Sequence, residues 1–177
     1  MIETCRASIR EAKADDLLRV KPLWEALYEH QQEHGLISCL SPDGFLRWRQ
    51  VLAPVLGRFG CLFLAEREEE LVGFLAGRIR SPTPPFAATP VGFVSEVFVR
   101  PEYRGGGTGR ALLCQATEWF AQQGATRLEL QVLSGNTQAR HIYEYLGWRD
   151  ELVQMVFLIS PANNERNSTT GISTNGN

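Results

Sequence analysis

The sequence predicts a mixed α/β fold. Three observations support this prediction: apolar runs with strand-like composition, longer stretches with helical spacing of apolar residues, and glycines placed where several of those stretches end. The chain has 177 residues, of which 44% are hydrophobic and 21% are charged, so it is long enough for one domain with its own core. We therefore expect a single domain over residues 1–160 and a polar tail over residues 161–177, which has little to bury.

The individual elements follow from local patterns along the chain. Pro22 predicts a kink or restart in the first helix, which Asp15 or Asp16 can cap, and Pro54 breaks the second helical segment. A charged tip joins two β-rich runs into a hairpin, and four prolines make 81–90 a loop. The predicted strands are 5–10, 61–68, 70–80, 91–99, 127–133 and 152–159. The predicted helices are 16–35, 41–57, 108–123 and 137–146.

Charge and composition exclude several classes of protein. The formal net charge is −2 and the only lysines, Lys13 and Lys21, lie near the start, so no basic stripe predicts nucleic-acid binding. No apolar run predicts a membrane span, and the first residues lack a secretory pattern, so we expect a cytoplasmic protein. The cysteines lie far apart without a C-x-x-C pair, which predicts reduced thiols and no zinc knuckle.

Residues 100–113, with the sequence RPEYRGGGTGRALL, predict an anion site. A strand that turns through glycines into a helix leaves the first backbone N–H groups of that helix unpaired, at the positive end of its dipole. Glycines at 105, 106, 107 and 109 let an anion approach the main chain, and Arg104 and Arg110 flank the place where its charge would lie. A diphosphate fits this arrangement best, and a glycine turn without a ligand is the simpler alternative.

Two familiar nucleotide-binding loops do not match these residues. A P-loop requires a lysine followed by serine or threonine after its last glycine, whereas here Arg110 is followed by Ala111. The dinucleotide fingerprint G-x-G-x-x-G/A meets Leu112 when it is read from Gly107, and it meets Arg110 when it is read from Gly105. Neither nucleotide-binding class therefore explains the loop.

The loop and a second motif together resemble the GNAT superfamily of N-acetyltransferases. The first motif is R-x-x-G-x-G after a strand, and the second is N-x-x-A-x-x-x-Y followed by L-G-W. The matching residues are Arg104, Gly107, Gly109, Asn136, Ala139, Tyr143, Leu146, Gly147 and Trp148. The resemblance implies an α/β (α+β) fold in which a mixed, mostly antiparallel sheet of six or seven strands is flanked by about four helices and split between the fourth and fifth strands.

The resemblance also implies which residues bind acetyl-coenzyme A (acetyl-CoA), with no metal. In this family the backbone amides of the loop bind the pyrophosphate, and the pantetheine arm pairs with the preceding strand. By pattern alone, Asn136 is a helix N-cap; the resemblance adds a contact with the coenzyme arm. The implied coenzyme-binding residues are Val97, Phe98, Val99, Arg104, Gly105, Gly106, Gly107, Thr108, Gly109, Arg110, Asn136, Ala139 and Tyr143.

Acetyl transfer to an amine requires a base, because an amine with a pKa of about 10.4 is protonated at neutral pH. Glu96 is the candidate, since a carboxylate between Val94 and Phe98 on one face of an apolar strand is out of place and desolvation would raise its pKa. A salt bridge at an exposed part of the sheet is the alternative, and family members differ in where the base lies. Helical pattern alone predicts Tyr143 to be a core residue; the resemblance implies a general acid for the departing thiolate.

A rival motif lies at residues 30–34, where HQQEH spells the H-x-x-E-H of a class of zinc peptidases. Both histidines would lie on one helical face. The stretch is the polar end of a helix before Gly35, and no second acidic helix completes the site. We therefore predict a solvated helix end here, and a surface position for His141.

The predicted activity is direct transfer of an acetyl group from acetyl-CoA to a primary amine of a small molecule or peptide in a ternary complex. Neither motif contains a cysteine or serine that could carry the acetyl group covalently. The competing interpretation is a non-catalytic module that senses acetyl-CoA. Residues 17–57 and 81–90 are expected to select the acceptor, and their aromatic residues favour a cation with an apolar part. These aromatic residues are Trp24, Tyr28, Trp48 and Phe86. The sequence leaves open whether the chain forms a homodimer.

Overall fold

A computed structural model describes residues 7–81 and 89–159 of the chain. The strands are β1 (Ser8–Glu11), β2 (Gly60–Arg67), β3 (Glu70–Arg80), β4 (Val91–Val99) and β5 (Arg127–Leu130). The helices are α1 (Lys21–Glu33), α2 (Gly44–Leu52), α3 (Thr108–Gln122) and α4 (Thr137–Tyr145). Short 3₁₀ turns cover Ala14–Leu18, Ala53–Val55 and Pro101–Tyr103.

The described strands form one mixed sheet in the order β1-β2-β3-β4-β5. Neighbouring strands are antiparallel from β1 to β4; a segment with α1 and α2 connects β1 to β2, a tight hairpin turn connects β2 to β3, and residues 81–90 connect β3 to β4. β5 lies parallel to β4, as expected when α3 connects the two strands. β5 pairs only with residues 91–94 of β4, so the two strands part halfway along β4.

The two faces of the sheet carry separate apolar cores. One core packs under α1 and α2 and includes Leu23, Trp24 and Phe98. The other packs under α3 and includes Val94, Val99 and Phe120. This two-sided burial explains why β2, β3 and β4 are nearly continuous apolar runs without strand alternation.

The first helix begins later than its cap signal predicts. Asp16 accepts hydrogen bonds from the Lys13 backbone N–H at 2.9 Å and from the Arg10 guanidinium at 2.7 and 2.8 Å. It therefore fixes the 3₁₀ turn that precedes α1. Pro22 lies in the first turn of α1, where its missing N–H removes no helical hydrogen bond. Of the two outcomes predicted for Pro22, the restart is the one observed.

The predicted last strand is wrong. Residues 151–159 form no strand, and the side chains of Met155 and Phe157 are 90% and 88% exposed. Strand composition stabilises a strand only where a neighbour supplies backbone hydrogen bonds and a packing surface, and no residue within 7–81 or 89–159 supplies them to this segment. The described sheet consequently has five strands, not the six or seven that the resemblance implies. The tail 161–177 and most of the proline loop lie outside the described residues.

Two further findings concern the described parts of the chain. None of their helices is both long enough and apolar enough to cross a bilayer. The three described cysteines are free thiols: Cys61 is buried in β2, whereas Cys39 and Cys114 are exposed.

Candidate active site

A β-bulge in the middle of β4 defines the site. Val94 pairs with Gly77 and Glu96 pairs with Ala76, so Ser95 has no partner on β3. One unpaired residue reverses the alternation of side chains beyond it. As a result Val94 packs in the core under α3, whereas Glu96 contacts Tyr28 of α1 on the opposite face of the sheet.

The bulge corrects one premise of the sequence prediction. Val94, Glu96 and Phe98 were expected on one face because they are two residues apart. Glu96 and Phe98 do share the face toward α1, but Val94 lies on the other. The predicted burial of the carboxylate is nevertheless observed.

Glu96 is only 8% exposed and has polar partners on both carboxylate oxygens. Its Oε1 lies 3.4 Å from Tyr28 Oη, and Ser95 Oγ donates to its Oε2. Burial raises the pKa of Glu96 above its usual value, and contacts with Ser95, Trp48 and Tyr28 offset part of that rise. Burial and the nearby carboxylate also raise the pKa of Tyr28, so the phenol is the donor in this pair. Glu96 is therefore a desolvated carboxylate, not an exposed ion-pair partner.

The backbone of β4 beyond the bulge has one free edge. Arg100 N–H donates to the Val72 carbonyl at 2.9 Å, which sets the alternation of the ladder with β3. By that alternation the backbone groups of Phe98 point to β3, and those of Val97 and Val99 point to the side that β5 has left. An extended chain could therefore pair with Val97 and Val99 but not with Phe98.

The glycine loop opens directly into α3. Gly107 is the N-cap of α3 at φ 84°, and no side chain caps the helix. Gly105 also has a positive φ of 80°, a conformation that strongly favours glycine. The backbone N–H groups from 105 to 110 donate no hydrogen bond to any residue that the structure describes. A row of free donors thus lies at the positive end of the α3 dipole.

The two arginines of the loop are placed differently. Arg104 folds back over β4: its Nε donates to the Val99 carbonyl at 2.9 Å, and its Cζ lies 5.7 Å from the centre of the Phe98 ring. Arg110 lies on the exposed surface of the first turn of α3. Val97 and Val99 each present one N–H and one carbonyl at the free edge of β4. Arg104 binds one of these four groups, the Val99 carbonyl, so three remain for a ligand.

The second motif begins α4 as its pattern predicts. Asn136 is the N-cap, and its Oδ1 accepts a hydrogen bond from the Ala139 N–H at 3.1 Å. This bond uses the side-chain oxygen, so the N-cap function is observed directly. Ala139 is half-buried in the next turn.

Tyr143 packs with the α3-side core, and its ring centre lies 6.0 Å from that of Trp148. Burial raises the pKa of Tyr143 to about 12, so the phenol is protonated at neutral pH. Its hydroxyl donates no hydrogen bond to a residue in the described ranges. Tyr143 and Glu96 thus lie on opposite faces of the sheet.

The HQQEH stretch is the last part of α1. The His30 and His34 rings lie 4.5 Å apart, edge to face. Over residues 7–81 and 89–159, no group of three or more His, Cys, Asp or Glu side chains could hold a metal ion.

Comparison with known proteins identifies the family. The sequence profile of the Acetyltransferase (GNAT) family matches residues 23–148, which is most of the chain. The chain belongs to the GNAT family of acetyltransferases. The predicted resemblance is thereby confirmed, and the matched segment includes most of α1, both motifs, Tyr28 and Glu96.

Relatives within the GNAT family are similar over different lengths. The uncharacterized N-acetyltransferase YhfO of Bacillus subtilis is 26% identical over 147 residues, which cover 81% of this chain and 91% of that protein. A mycothiol acetyltransferase of Amycolatopsis mediterranei is 38% identical over 87 residues, which cover 49% of this chain. The chain spans only 29% of the length of that second protein.

Solved structures confirm the GNAT fold. The aminoglycoside N-acetyltransferase AAC(6′)-Iy in complex with CoA aligns with a TM-score of 0.69 at 19% identity, covering 90% of this chain and 99% of that one. The BH1408 protein of Bacillus halodurans, as a tetramutant, aligns with a TM-score of 0.70 at 23% identity, covering 86% of this chain and 99% of that one. At these identities the likeness concerns the fold alone.

Sequence reasoning did not identify the three side chains that contact Glu96. Tyr28 and Trp48 were singled out only as aromatic residues of the acceptor side, and Ser95 was not singled out at all. Helical spacing places Tyr28 one turn after Trp24, so a face toward the sheet could have been inferred. No sequence signal marks the bulge that turns Glu96 to that face.

Proposed function

We propose that this chain transfers the acetyl group of acetyl-CoA directly to a primary amine of a small molecule or peptide within a ternary complex. The observation that supports this most is the desolvated carboxylate of Glu96, placed where the free edge of β4 begins. A base at that point lies between the glycine loop, which would hold the coenzyme, and α1 and α2, which would hold the acceptor.

The glycine loop fits the diphosphate of the coenzyme. A β-carbon at positions 105, 106 or 107 would meet no atom within 4 Å, so the space beside the free N–H groups is open. Val97 and Val99 would hold the pantetheine arm through their free backbone groups. Held in this way, acetyl-CoA supplies an activated acyl group as a substrate of the reaction.

Glu96 would accept the proton that the acceptor amine must lose before it attacks. Because its pKa is raised, the carboxylate is a better base than an exposed glutamate. Tyr28 and Ser95 would orient it through the two hydrogen bonds described above. Activity should therefore rise with pH as Glu96 loses its proton, in a range above the usual glutamate pKa of about 4.3.

Tyr143 would donate a hydrogen bond or proton to the departing thiolate. Burial keeps its phenol protonated, and burial also makes a thiolate more basic, as at Cys61, where it raises the pKa of the thiol to about 12. The pKa values of the phenol and of the thiol are thus closer to each other when both groups are buried than when both are in water.

The acceptor is proposed to be a cation with an apolar part. Tyr28 and Trp48 lie beside the carboxylate, and the Trp48 ring stacks on Phe45 at 5.6 Å. Aromatic faces next to a carboxylate favour an ammonium group. Relatives are named for mycothiol, for the ε-nitrogen of thialysine and for the 6′-nitrogen of aminoglycosides, so their acceptors form the first panel to test.

The experiment measures thiol release from acetyl-CoA with that panel, for the native chain and for Glu96→Gln and Tyr143→Phe. We expect amine-dependent release, which falls by roughly 100-fold or more in Glu96→Gln, the scale of general base catalysis. The rise with pH should disappear in that variant. Glu29→Gln, at an exposed position of α1, is the matched control and should keep both the amine-dependent thiol release and its rise with pH.

Binding of coenzyme without amine-dependent thiol release would favour the sensor instead. Ser95→Ala separates direct transfer from a covalent route, because Ser95 Oγ contacts the proposed base. Direct transfer predicts that Ser95→Ala keeps most of its activity. Loss as complete as that of Glu96→Gln, together with an acetyl group detected on Ser95 by mass spectrometry after incubation of the native chain with acetyl-CoA alone, would point to an acetyl-serine intermediate and contradict the ternary complex.

A further inference from the structure

The end of α1 lies beside the second motif. At one side it contacts the turn before α4: a β-carbon at Gly135 would lie 2.5 Å from the His34 carbonyl oxygen. Because only glycine permits this approach, the helix end is held close to Asn136. The end of the HQQEH stretch thus lies beside this motif, and not on an unrelated surface.

One turn earlier on the same helix, His30 faces the charge of Arg104, the first residue of the glycine-loop motif. Arg104 folds back over Phe98, and Phe98 packs in the same core as Leu27 of α1. The charge of Arg104 is close enough to lower the pKa of His30, together with burial and His34. The His30 side chain is 25% exposed, so part of it remains accessible to a ligand.

The hydrogen-bonding pattern of His30 leaves one nitrogen available. Its Nδ1 lies 3.5 Å from Glu33 Oε2, one turn along α1. Contact at Nδ1 orients the ring and leaves Nε2 for another partner. The charged or titratable groups that face His30 are Glu33 and His34 on its own helix and Arg104 from the loop after β4.

We propose that His30 is a second cationic ligand of the coenzyme diphosphate, on the side opposite the α3 N-terminus. This inference rests on the proposed function, since it assumes that the glycine loop holds the diphosphate. Arg104 and a protonated His30 repel each other in the free protein, and a bound dianion would remove that repulsion. Binding would therefore favour the imidazolium form, whose N–H donates to a phosphate oxygen.

The consequence is proton uptake on binding. In the free chain the pKa of His30 is lowered, so the ring is mostly neutral at physiological pH. A bound diphosphate would raise that pKa, because an opposite charge favours the charged form. Affinity from this contact is then present below the raised pKa and is lost as the pH rises through it.

Calorimetric titration of the full chain with CoA at pH 6 and pH 8.5 tests the proposal. We expect His30→Gln to bind about tenfold more weakly than the native chain at pH 6 and within about twofold at pH 8.5, since one pKa unit corresponds to a tenfold change. Titration of the phosphates of CoA is common to both chains and cancels in the ratio. His141→Gln, at an exposed position of α4, is the matched control and should bind as the native chain does at both pH values.

Two additional measurements make the outcome decisive. Dephospho-CoA, which lacks the 3′-phosphate, should show the same pH-dependent difference; a difference that vanishes with it would assign His30 to the 3′-phosphate and overturn the proposal. NMR titration of the histidine ring protons in the native chain should show the pKa of one histidine rising when CoA binds, which tests His30 even if the variant does not fold.

Other results would overturn the inference in distinguishable ways. An equal loss of affinity at both pH values would show that His30 has a packing role only. Equal affinities of native chain and variant at pH 6 would show that it is not a ligand. A native chain that binds no CoA at either pH would overturn the proposed function, and this inference with it.

Discussion

Glycines in the loop and glycines in the sheet serve opposite purposes in this molecule. At positions 105, 106 and 107 a β-carbon would meet nothing within 4 Å. At positions 73, 77 and 92 it would lie within 3 Å of backbone or ring atoms. Both groups look alike in the sequence. The sheet glycines allow neighbouring backbone and side chains to pack closely, whereas the loop glycines leave open space that a ligand could occupy.

The largest effect on stability is expected for Gly92→Ala. Its β-carbon would overlap Leu128 Cδ2 and lie 2.6 Å from Phe120 Cγ, and both side chains are held in the core under α3. Overpacking of this kind costs about 1–3 kcal/mol, measurable as a lower midpoint in chemical denaturation. A Gly92→Ala/Leu128→Ala double-mutant cycle should show a favourable coupling energy, because the shorter side chain at 128 relieves the overlap. Additive effects would contradict the proposed overlap.

A smaller loss is expected for Gly107→Ala, through the backbone alone. Its φ of 84° costs an alanine about 1 kcal/mol, although no atom obstructs the methyl group. Because Gly107 caps α3, coenzyme affinity measured by calorimetry should also fall. Gly124→Ala is the matched control, since its φ of 81° carries the same strain at the other end of α3. An equal fall in coenzyme affinity in Gly107→Ala and Gly124→Ala would contradict a specific role of the loop in coenzyme binding.

The smallest change in stability is expected for Gly106→Ala, which separates the two groups of glycines most sharply. Position 106 has neither a positive φ nor a neighbour within 4 Å, so the free energy of unfolding should change by less than about 0.5 kcal/mol. Coenzyme affinity should nevertheless fall, because the methyl group enters the space proposed for the diphosphate. An unchanged affinity would mean that the ligand does not contact this residue.

Much of the fold follows from local sequence signals. The hairpin of β2 and β3, the strand β4 and the helices α3 and α4 lie within a few residues of their predicted bounds, because each has a clear period and a glycine or charged turn at its end. The N-cap function of Asn136 was likewise predictable, since it depends only on residues three apart.

The sequence does not reveal which distant residues a segment or side chain will contact in the folded chain. Residues 152–159 have strand composition, but their pairing depends on whether a neighbour is present. The sequence likewise did not show that Arg104 Nε donates to the Val99 carbonyl, a partner that comes within reach only when the chain turns back after β4; its place beside the diphosphate stays a prediction. The roles of Glu96, Tyr143 and the coenzyme-binding residues in catalysis and binding stay predictions.

The contact between Tyr28 and Glu96 illustrates the same limit for the site. The two residues are 68 positions apart, and their side chains meet only because α1 crosses β4 beyond the bulge. Composition could predict that a carboxylate in an apolar strand needs polar partners. It could not say which of many tyrosines, serines and tryptophans would supply them.

The bulge at Ser95 has a consequence for any comparison of β4 among relatives. If the same residues formed a regular strand without the bulge, the carboxylate would lie in the layer beneath α3 and Val97 would lie in the layer under α1. The chemistry of this strand thus depends on the extra residue in the bulge as much as on the acidic side chain. For a strand that lacks the extra residue, an alignment gap placed at position 96 instead of 95 would equate its base with Ser95.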